Sequence, residues 1–215
     1  MGEIQKEIIE ASMALLKRLP EDMQGQVLLT GGSAAFLYGS DRPFSHDMDF
    51  MVPSDKVEEL KKTLGLEFTR HTKKPVFHSF KAVFEEGGRS YDLIAESVIQ
   101  PTGQSAGFGV RLTDEILQKK ESVMVEGQIL YLIPKELLVL IKLLAGRGDE
   151  LGKYDLYDVR KIMEASRDFD FGFFKKMILE FCQPLKDALP ILIANAKKTG
   201  SLRLSEALQS LQQSL

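Results

Sequence analysis

Two aspartates stand two residues apart in the segment Ser45-His-Asp-Met-Asp-Phe-Met51, shortly after the turn-forming run Asp41-Arg42-Pro43. The alternation from Asp47 to Val52 predicts a strand, so Asp47 and Asp49 project from one face and Met48 and Phe50 from the other. Two ionised carboxylates side by side repel each other, and a bound cation relieves that repulsion. Mg²⁺ (or Mn²⁺) prefers oxygen ligands and is commonly shared with substrate phosphates, so the pair predicts a site for such a cation.

A third acid follows on a predicted hairpin. Strand patterns at 77–84 and 90–95 flank the turn signal Glu86-Gly87-Gly88, as expected of two antiparallel strands joined by a tight turn. Asp92 lies on the returning strand. If that strand neighbours residues 47–52, Asp92 completes a site of three carboxylates.

A glycine-rich junction precedes the acids. The short apolar run Gln26-Val-Leu-Leu-Thr30 predicts a buried strand, and it stops at Gly31-Gly32-Ser33 before a short helix over residues 33–38. The free N–H groups at a helix N-terminus bind phosphate oxygens, and glycines allow the backbone to approach them closely. The junction therefore predicts a phosphate seat, with the Ser33 hydroxyl as an additional donor.

This ordered set resembles the nucleotidyltransferase superfamily that shares its catalytic fold with DNA polymerase beta. It is most similar to the branch of abortive-infection toxin nucleotidyltransferases and uncharacterised prokaryotic relatives, whose pattern is Gly-Gly-(Ser/Thr)-Ala, an Arg, then Ser/Thr-X-Asp-X-Asp. The matching residues are Gly31, Gly32, Ser33, Ala34, Arg42, Ser45, Asp47 and Asp49.

The resemblance implies an NTP donor and metal-assisted attack of a hydroxyl on the α-phosphate. Asp47 and Asp49 would hold two metal ions, and Asp92 would ligate one of them and help to deprotonate the acceptor. Gly32 and Ser33 would hold the β- and γ-phosphates. Arg42 is interpreted either as a phosphate ligand or as a turn residue paired with Asp41.

The resemblance continues into a helical region with a lysine, an arginine and a downstream aspartate pair. Lys142 interrupts an apolar helix face, and it is either a snorkelling structural lysine or, as the resemblance implies, a group that neutralises triphosphate charge. Arg147, Asp155 and Asp158 have two interpretations, as the lining of the nucleotide cleft or as an ion-paired surface between helix ends.

The elements predict an α/β (α+β) fold, and the resemblance implies a mixed sheet flanked by helices. The α/β part spans residues 1–132 and an all-helical part spans 133–215, packed against it. Residues 100–109 are rich in Gly, Ser and Pro and predict a surface loop. The further helices are expected at 4–19, 55–64, 134–145, 153–165, 170–182, 184–197 and 202–213, and a second hairpin at 123–131.

Composition limits the function classes. The chain has 215 residues, 44% of them hydrophobic and 27% charged, with a net charge of −3, so no overall positive charge favours nucleic acid. The single cysteine, Cys182, lies in an apolar stretch and is interpreted as a buried thiol rather than a nucleophile. No apolar run approaches the roughly 20 residues that span a bilayer, so we expect a soluble, cytoplasmic protein without a membrane partner.

The function predicted from these observations is Mg²⁺-dependent transfer of a nucleotidyl group from an NTP to a hydroxyl acceptor, by a two-metal mechanism. An RNA end, a protein and a small molecule all remain open as acceptor. The alternative is a non-catalytic nucleotide-binding or interaction protein that retains the fold. The toxin-type resemblance implies a cognate antitoxin-like partner, and the stripe Leu204, Leu208, Leu211 and Leu215 either packs on its own helices or forms a homodimer.

Overall fold

The computed structural model describes residues 2–43, 47–72, 76–125, 127–148 and 153–215. The strands in these ranges are β1 Leu28–Leu29, β2 Met48–Met51, β3 Thr69–His71, β4 Phe77–Glu86, β5 Arg89–Ile99, β6 Phe108–Arg111, β7 Glu121–Val125 and β8 Gln128–Leu132. The helices are α1 Glu3–Leu16, α2 Glu21–Gln24, α3 Gly31–Leu37, α4 Val57–Leu64, α5 Asp114–Gln118, α6 Lys135–Ala145, α7 Asp155–Ala165, α8 Phe171–Phe181, α9 Leu185–Thr199 and α10 Leu202–Gln213.

The strands form one mixed sheet in the order β3-β4-β5-β2-β1-β8-β7, with β6 paired to the end of β5. The pairs β2–β5 and β1–β8 are parallel, whereas β1–β2, β4–β5 and β7–β8 are antiparallel. The mixed α/β fold predicted from the sequence is therefore confirmed. The predicted boundary at residue 132 falls where β8 ends and α6 is about to begin, and the division into two domains stays a prediction.

One face of the central strands is buried under α1. Met48 and Phe50 have no exposed surface, and Leu93 on β5 is 1% exposed. The Tyr91 hydroxyl on the same face donates to the Ala11 carbonyl oxygen in α1. Because side chains alternate along a strand, burial of these residues directs Asp49 and Asp92 to the opposite face, as the pattern of residues 47–52 predicts.

The β4–β5 hairpin is present and extends beyond its predicted ends. Its register shifts at Phe80/Lys81, where the partners change from Glu96 to Ile94 and leave Ala95 as an extra residue on β5. Such a bulge reverses the alternation of the strand beyond it. Ser97 and Ile99 consequently share a face with Asp92, although they differ from it by an odd number of residues.

The loop predicted over residues 100–109 is wrong at its end. Phe108 belongs to β6, pairs with Ile99 and is 1% exposed. The apolar residues Phe108 and Val110 alternate with Gly109 and Arg111, a strand signal that the surrounding glycines and serines obscure. The short elements α2, β3 and α5 also lie outside the predicted set, and each spans five residues or fewer.

The helices after residue 133 pack on the sheet and on one another. Helix α6 contacts β5, α7, α8 and α9, and the Asn195 amide in α9 donates to the Leu143 carbonyl oxygen at 2.8 Å. Three leucines of the C-terminal stripe, Leu204, Leu208 and Leu211, are buried within the protein. A homodimer stays a prediction.

Cys182 is fully buried, in agreement with its interpretation as a structural thiol. Burial raises the pKa of its thiol to about 12. None of the described helices has the length and apolar character needed to cross a membrane.

Gly146 caps the C-terminus of α6 and has a left-handed φ of 60°. This position gives a test of the packing between α6 and α9. A Cβ at Gly146 would overlap the Asn195 amide, whereas one at Gly65, which ends α4 with a φ of 67°, would meet open space. The left-handed conformation alone costs a non-glycine residue about 1–2 kcal/mol, and overpacking adds about 1–3 kcal/mol.

We expect Gly146→Ala to lower the free energy of unfolding by about 3 kcal/mol and Gly65→Ala by about 1–2 kcal/mol. Urea unfolding followed by circular dichroism measures both. Equal losses would mean that the Asn195 contact adds nothing to the backbone effect.

Candidate active site

A cleft of about 720 Å³ lies between the face of the sheet opposite α1 and a helical wall. The wall is formed by α6, the start of α7 and the residues just before α7. Nine of the predicted site residues line this cleft: Gly31, Gly32, Arg42, Asp47, Asp49, Asp92, Lys142, Arg147 and Asp155. Ser45 lies outside the described residues. The remaining residue, Ser33, lies beneath the cleft wall.

Asp49 and Asp92 occupy matching positions on neighbouring strands. They are direct partners in the parallel register of β2 and β5, and adjacent strands are about 4.8 Å apart. Asp47 precedes β2, is exposed and lines the same cleft. The pairing of β2 with β5 thus meets the condition on which the three-acid prediction depended.

The carboxylates match a divalent cation in their chemistry but do not form a closed coordination shell. Asp49 and Asp92 supply hard oxygen donors side by side, the type that Mg²⁺ prefers. Among the described residues, no group of three or more His, Cys, Asp or Glu side chains is assembled around a common point. Asp92 instead accepts a hydrogen bond from the Lys81 ammonium on β4.

The start of α3 lies directly against the acids. The Thr30 N–H donates to the Asp49 carbonyl oxygen at 2.8 Å, and Gly31 follows with a left-handed φ of 66°. A Cβ at Gly31 would overlap the Asp49 carboxylate. Gly31 is therefore required both by its backbone conformation and by the closeness of the carboxylate.

Gly32 makes room for Arg42. A Cβ at Gly32 would overlap the Arg42 guanidinium, which also lies 5.5 Å from the centre of the Tyr154 ring. The Arg42 Nε is 3.6 Å from the Asp158 carboxylate. Arg42 is thus held over the first turn of α3, with a side chain that is 15% exposed.

The alternative in which Arg42 pairs with Asp41 is not what the structure has. Asp41 accepts hydrogen bonds from the Tyr157 hydroxyl at 2.5 Å and pairs with the Lys161 ammonium at 3.1 Å. The Tyr157 hydrogen bond, with a smaller effect of Lys161, lowers the pKa of Asp41. These contacts fasten the turn that carries Arg42 to α7.

Ser33 is oriented differently from the sequence prediction. It is 1% exposed, and its hydroxyl points to the Asp47 carbonyl oxygen at 3.4 Å and to the Met48 sulfur at 3.6 Å. Helix α3 begins at Gly31 rather than at Ser33, which turns the serine side chain inward. This geometry gives no support to a phosphate contact of the Ser33 hydroxyl.

The helical wall of the cleft is a network of ion pairs. Lys142 lies 2.7 Å from Asp158 and 3.6 Å from Asp155, and Arg147 lies 2.6 Å from Asp155. Asp158 is fully buried and also accepts a hydrogen bond from Ser40 at 2.6 Å. Arg147 and Asp155 line the cleft and are ion-paired, whereas Asp158 lies behind it; a role of Arg147 and Asp155 in nucleotide binding stays a prediction.

Comparison with protein-family models and with curated proteins gave no match, whereas solved structures do match. A Thermotoga maritima protein assigned as a nucleotidyltransferase superposes with a TM-score of 0.50 and 13% identity, over 68% of this chain and 89% of its own. The chain has a nucleotidyltransferase-like fold.

Two further structures match with lower scores. An antigenic nucleotidyltransferase-like protein of Paracoccidioides brasiliensis has 16% identity and a TM-score of 0.46, covering 96% of this chain and 92% of its own. A lincosamide antibiotic adenylyltransferase with bound lincomycin has 16% identity and a TM-score of 0.42, covering 73% and 98%. The Thermotoga structure carries the fold assignment, and the toxin-type branch stays a prediction.

Within this nucleotidyltransferase-like fold, Lys81 is the main cleft residue that the sequence analysis missed. It is 7% exposed and lies on the cleft side of β4 between Ser79 and Val83. In the sequence, Lys81 alternates with the apolar residues Phe80 and Ala82. Such a lysine is usually exposed to solvent on the polar face of a strand, so nothing marked it as a cleft residue. Tyr154 and Phe77, which lie beside the Arg42 and Arg147 guanidinium groups, were missed as well.

The Lys142–Asp158 pair gives a test of the helical wall. Removing one partner of a buried ion pair costs about 3–5 kcal/mol. Asp158 would keep its longer contact with Arg42 and the Ser40 hydrogen bond, so we expect Lys142→Met to lower the free energy of unfolding by about 3 kcal/mol, the lower end of that range. Lys61→Met on α4 is the control, because Lys61 pairs with Glu58 at 3.3 Å on the surface, where ion pairs contribute little. Guanidinium unfolding compares the two. A loss no larger for Lys142→Met than for the control would exclude a stabilising role of the network.

Proposed function

We propose that this protein transfers a nucleotidyl group from an NTP to a hydroxyl acceptor, and that it depends on a divalent cation. The observation that carries the proposal is the register of Asp49 with Asp92 in a cleft that also contains the first turn of α3. Paired carboxylates beside a glycine-rich helix start combine two requirements of phosphoryl chemistry, a cation site and a seat for phosphate oxygens.

The triphosphate end of the nucleotide is assigned to the α3 side of the acids. The backbone of Gly31 and Gly32 would approach the β- and γ-phosphates, and the Arg42 guanidinium over Gly32 would compensate their charge. Arg147 and Lys142 add positive charge from the facing wall. Arg147 is the more available of the two, because its side chain is 23% exposed and that of Lys142 is 7% exposed.

Asp47, Asp49 and Asp92 would hold Mg²⁺ or Mn²⁺. When bound, the cation supplies Lewis-acid stabilisation of charge on the attacking and leaving oxygens of an in-line displacement. The chain's own residues account for the rest. The Asp92 carboxylate accepts the proton of the acceptor hydroxyl, whose oxygen forms a bond to the α-phosphorus as the bond to the bridging oxygen breaks. Arg42 then lies beside the departing pyrophosphate.

The acceptor is assigned to the other side of the acids. In-line displacement places the nucleophile opposite the leaving group, so a leaving pyrophosphate over α3 places the acceptor over β4 and β5. That floor carries Val83, which is 44% exposed, and the Ser79 and Ser97 hydroxyls, which are 3.0 Å apart. An RNA end, a protein hydroxyl and a small molecule are the acceptor classes to test.

A nucleotide-binding protein without catalysis is the second candidate function. The ion pair of Lys81 with Asp92 favours it, because the third acid is already neutralised without a metal. The toxin-type branch, an antitoxin-like partner and a cytoplasmic location stay proposals that follow from the sequence resemblance.

The decisive experiment is the incorporation of each α-labelled NTP, with Mg²⁺, into separate RNA, protein and small-molecule fractions. We expect wild type to label one fraction and Asp49→Asn to lower the rate by at least about 10²–10³-fold, since charge stabilisation in the transition state is lost. Asp55→Asn, an exposed aspartate before α4, is the control and should leave the rate unchanged. Turnover by a folded Asp49→Asn variant at the wild-type rate would refute the mechanism. Absence of label with all four NTPs, together with nucleotide-induced thermal stabilisation, would favour the non-catalytic candidate.

The acceptor floor has its own test. We expect Val83→Glu to abolish label transfer and to retain nucleotide-induced thermal stabilisation, because a charged side chain over β4 obstructs the acceptor and not the triphosphate. Val98→Glu is the matched control, since Val98 is 39% exposed on β5 and does not line the cleft. Loss of nucleotide binding in Val83→Glu would place the nucleotide, rather than the acceptor, over β4.

A further inference from the structure

Lys81 is a nearly buried cation in a place where an apolar residue would be less costly. Its side chain is 8% exposed, and its direct register partner across β4–β5 is Ile94. Removing an ammonium group from water is expensive unless a partner compensates it. Ser79 and Val83 on the same face of β4, and Ile94 opposite it on β5, line the cleft floor together with Lys81.

The partner that compensates Lys81 is the acid that the proposed reaction requires. Its ammonium donates to Asp92 Oδ2, diagonally across the hairpin, because Asp92 is itself opposite Val83. Diagonal neighbours on a sheet are within reach of long side chains. The Asp92 side chain is only 18% exposed, so little of the carboxylate is open to water apart from this ion pair.

The Lys81 ammonium and a divalent cation would compete for the same carboxylate, that of Asp92. Asp49 and Asp92 lie side by side, and a divalent ion held by both must use oxygen lone pairs of Asp92. Within the described residues, the acids form no assembled group of three metal-ligating side chains. A cation supplied by the chain therefore already holds one of the carboxylates to which the proposed cofactor would bind.

We propose that Lys81 is a positioning residue that holds Asp92 in the metal-free protein and competes with the divalent cation for it. The Asp92 oxygen that the Lys81 ammonium holds, Oδ2, becomes available as a ligand when the ammonium withdraws, so Lys81 weakens metal binding while it orients the carboxylate. This inference rests on the proposed function, because it concerns the same carboxylate. A purely structural role of Lys81 is the alternative. In that case the ammonium neutralises Asp92, and its removal has no effect on metal affinity that depends on Asp92.

Mn²⁺ binding tests the competition without any need for an acceptor. The signal of free aqueous Mn²⁺ in electron paramagnetic resonance gives the dissociation constant for wild type, Lys81→Met, Asp92→Asn and the double variant. We expect Lys81→Met to bind Mn²⁺ about tenfold more tightly, which corresponds to the loss of about 1.4 kcal/mol of competition. In the Asp92→Asn background the same substitution should change the affinity by less than about twofold, since the two residues then have no interaction to lose.

Two further variants separate competition from a general effect of charge. Lys120→Met removes the same charge at a lysine that donates to the Gly25 carbonyl oxygen and lies over Tyr131, outside the cleft, and it should leave Mn²⁺ affinity within about twofold. Lys81→Arg retains the charge and should bind Mn²⁺ as weakly as wild type. Cooperative thermal unfolding of each variant establishes that it is folded.

Three results would overturn the inference: unchanged or weaker Mn²⁺ binding by folded Lys81→Met, equal tightening with and without Asp92, or no Mn²⁺ binding by Lys81→Met at all. The labelling assay reports independently on the proposed function. Label transfer by wild type with unchanged Mn²⁺ affinity in Lys81→Met would overturn the competition alone. Tightened Mn²⁺ binding that requires Asp92, without label transfer or nucleotide binding, would support the competition and overturn the proposed transfer.

Discussion

The register that places Asp49 beside Asp92 is the constraint to which the rest of the cleft is adjusted. The two residues share a rung of a parallel strand pair, and this register is fixed from behind. Met48, Phe50 and Leu93 fill the core under α1, so a slip by one residue would bury an acid and expose an apolar side chain. The core therefore keeps both acids on the cleft face of the sheet.

The buried Asp158 connects the helices to the segment around the start of α3, which lies beside the acid pair. It connects Ser40, Arg42 and Lys142, which belong to the connection after α3, the turn before β2 and the last turn of α6. Asp41 binds the same turn to α7 from the other side. The position of Arg42 over Gly32 thus depends on helices more than 90 residues later in the chain, which gives a structural reason for the helical part to accompany the sheet.

Local sequence patterns predicted much of the fold. They could not predict which strands pair with each other. The alternation around Asp47 and Asp49 and the turn at Gly87-Gly88 predicted strands that the structure contains. No periodicity could establish that β5 lies beside β2, because that contact joins residues more than 40 positions apart. The bulge at Ala95 and the ion pair of Lys81 were hidden for the same reason, since both exist only in the pairing. Ser33 shows the sensitivity to boundaries: a helix that starts two residues earlier rotates its side chain from the cleft into the interior.

The distribution of exposure among the cleft cations indicates how a triphosphate would be received. Lys142 lies 2.7 Å from the fully buried Asp158, and withdrawing it would remove the shortest ion pair of that carboxylate. Lys81 is committed to Asp92 on the acceptor side. Arg42 and Arg147 keep more of their side chains exposed, 15% and 23%, and the guanidinium of each lies over an aromatic ring. A guanidinium held in this way can donate to phosphate oxygens through its free edge while its face stays packed. The two buried lysines then contribute positive potential to the cleft. The two arginines are the groups that a nucleotide could contact without breaking the ion pairs that orient the arginines.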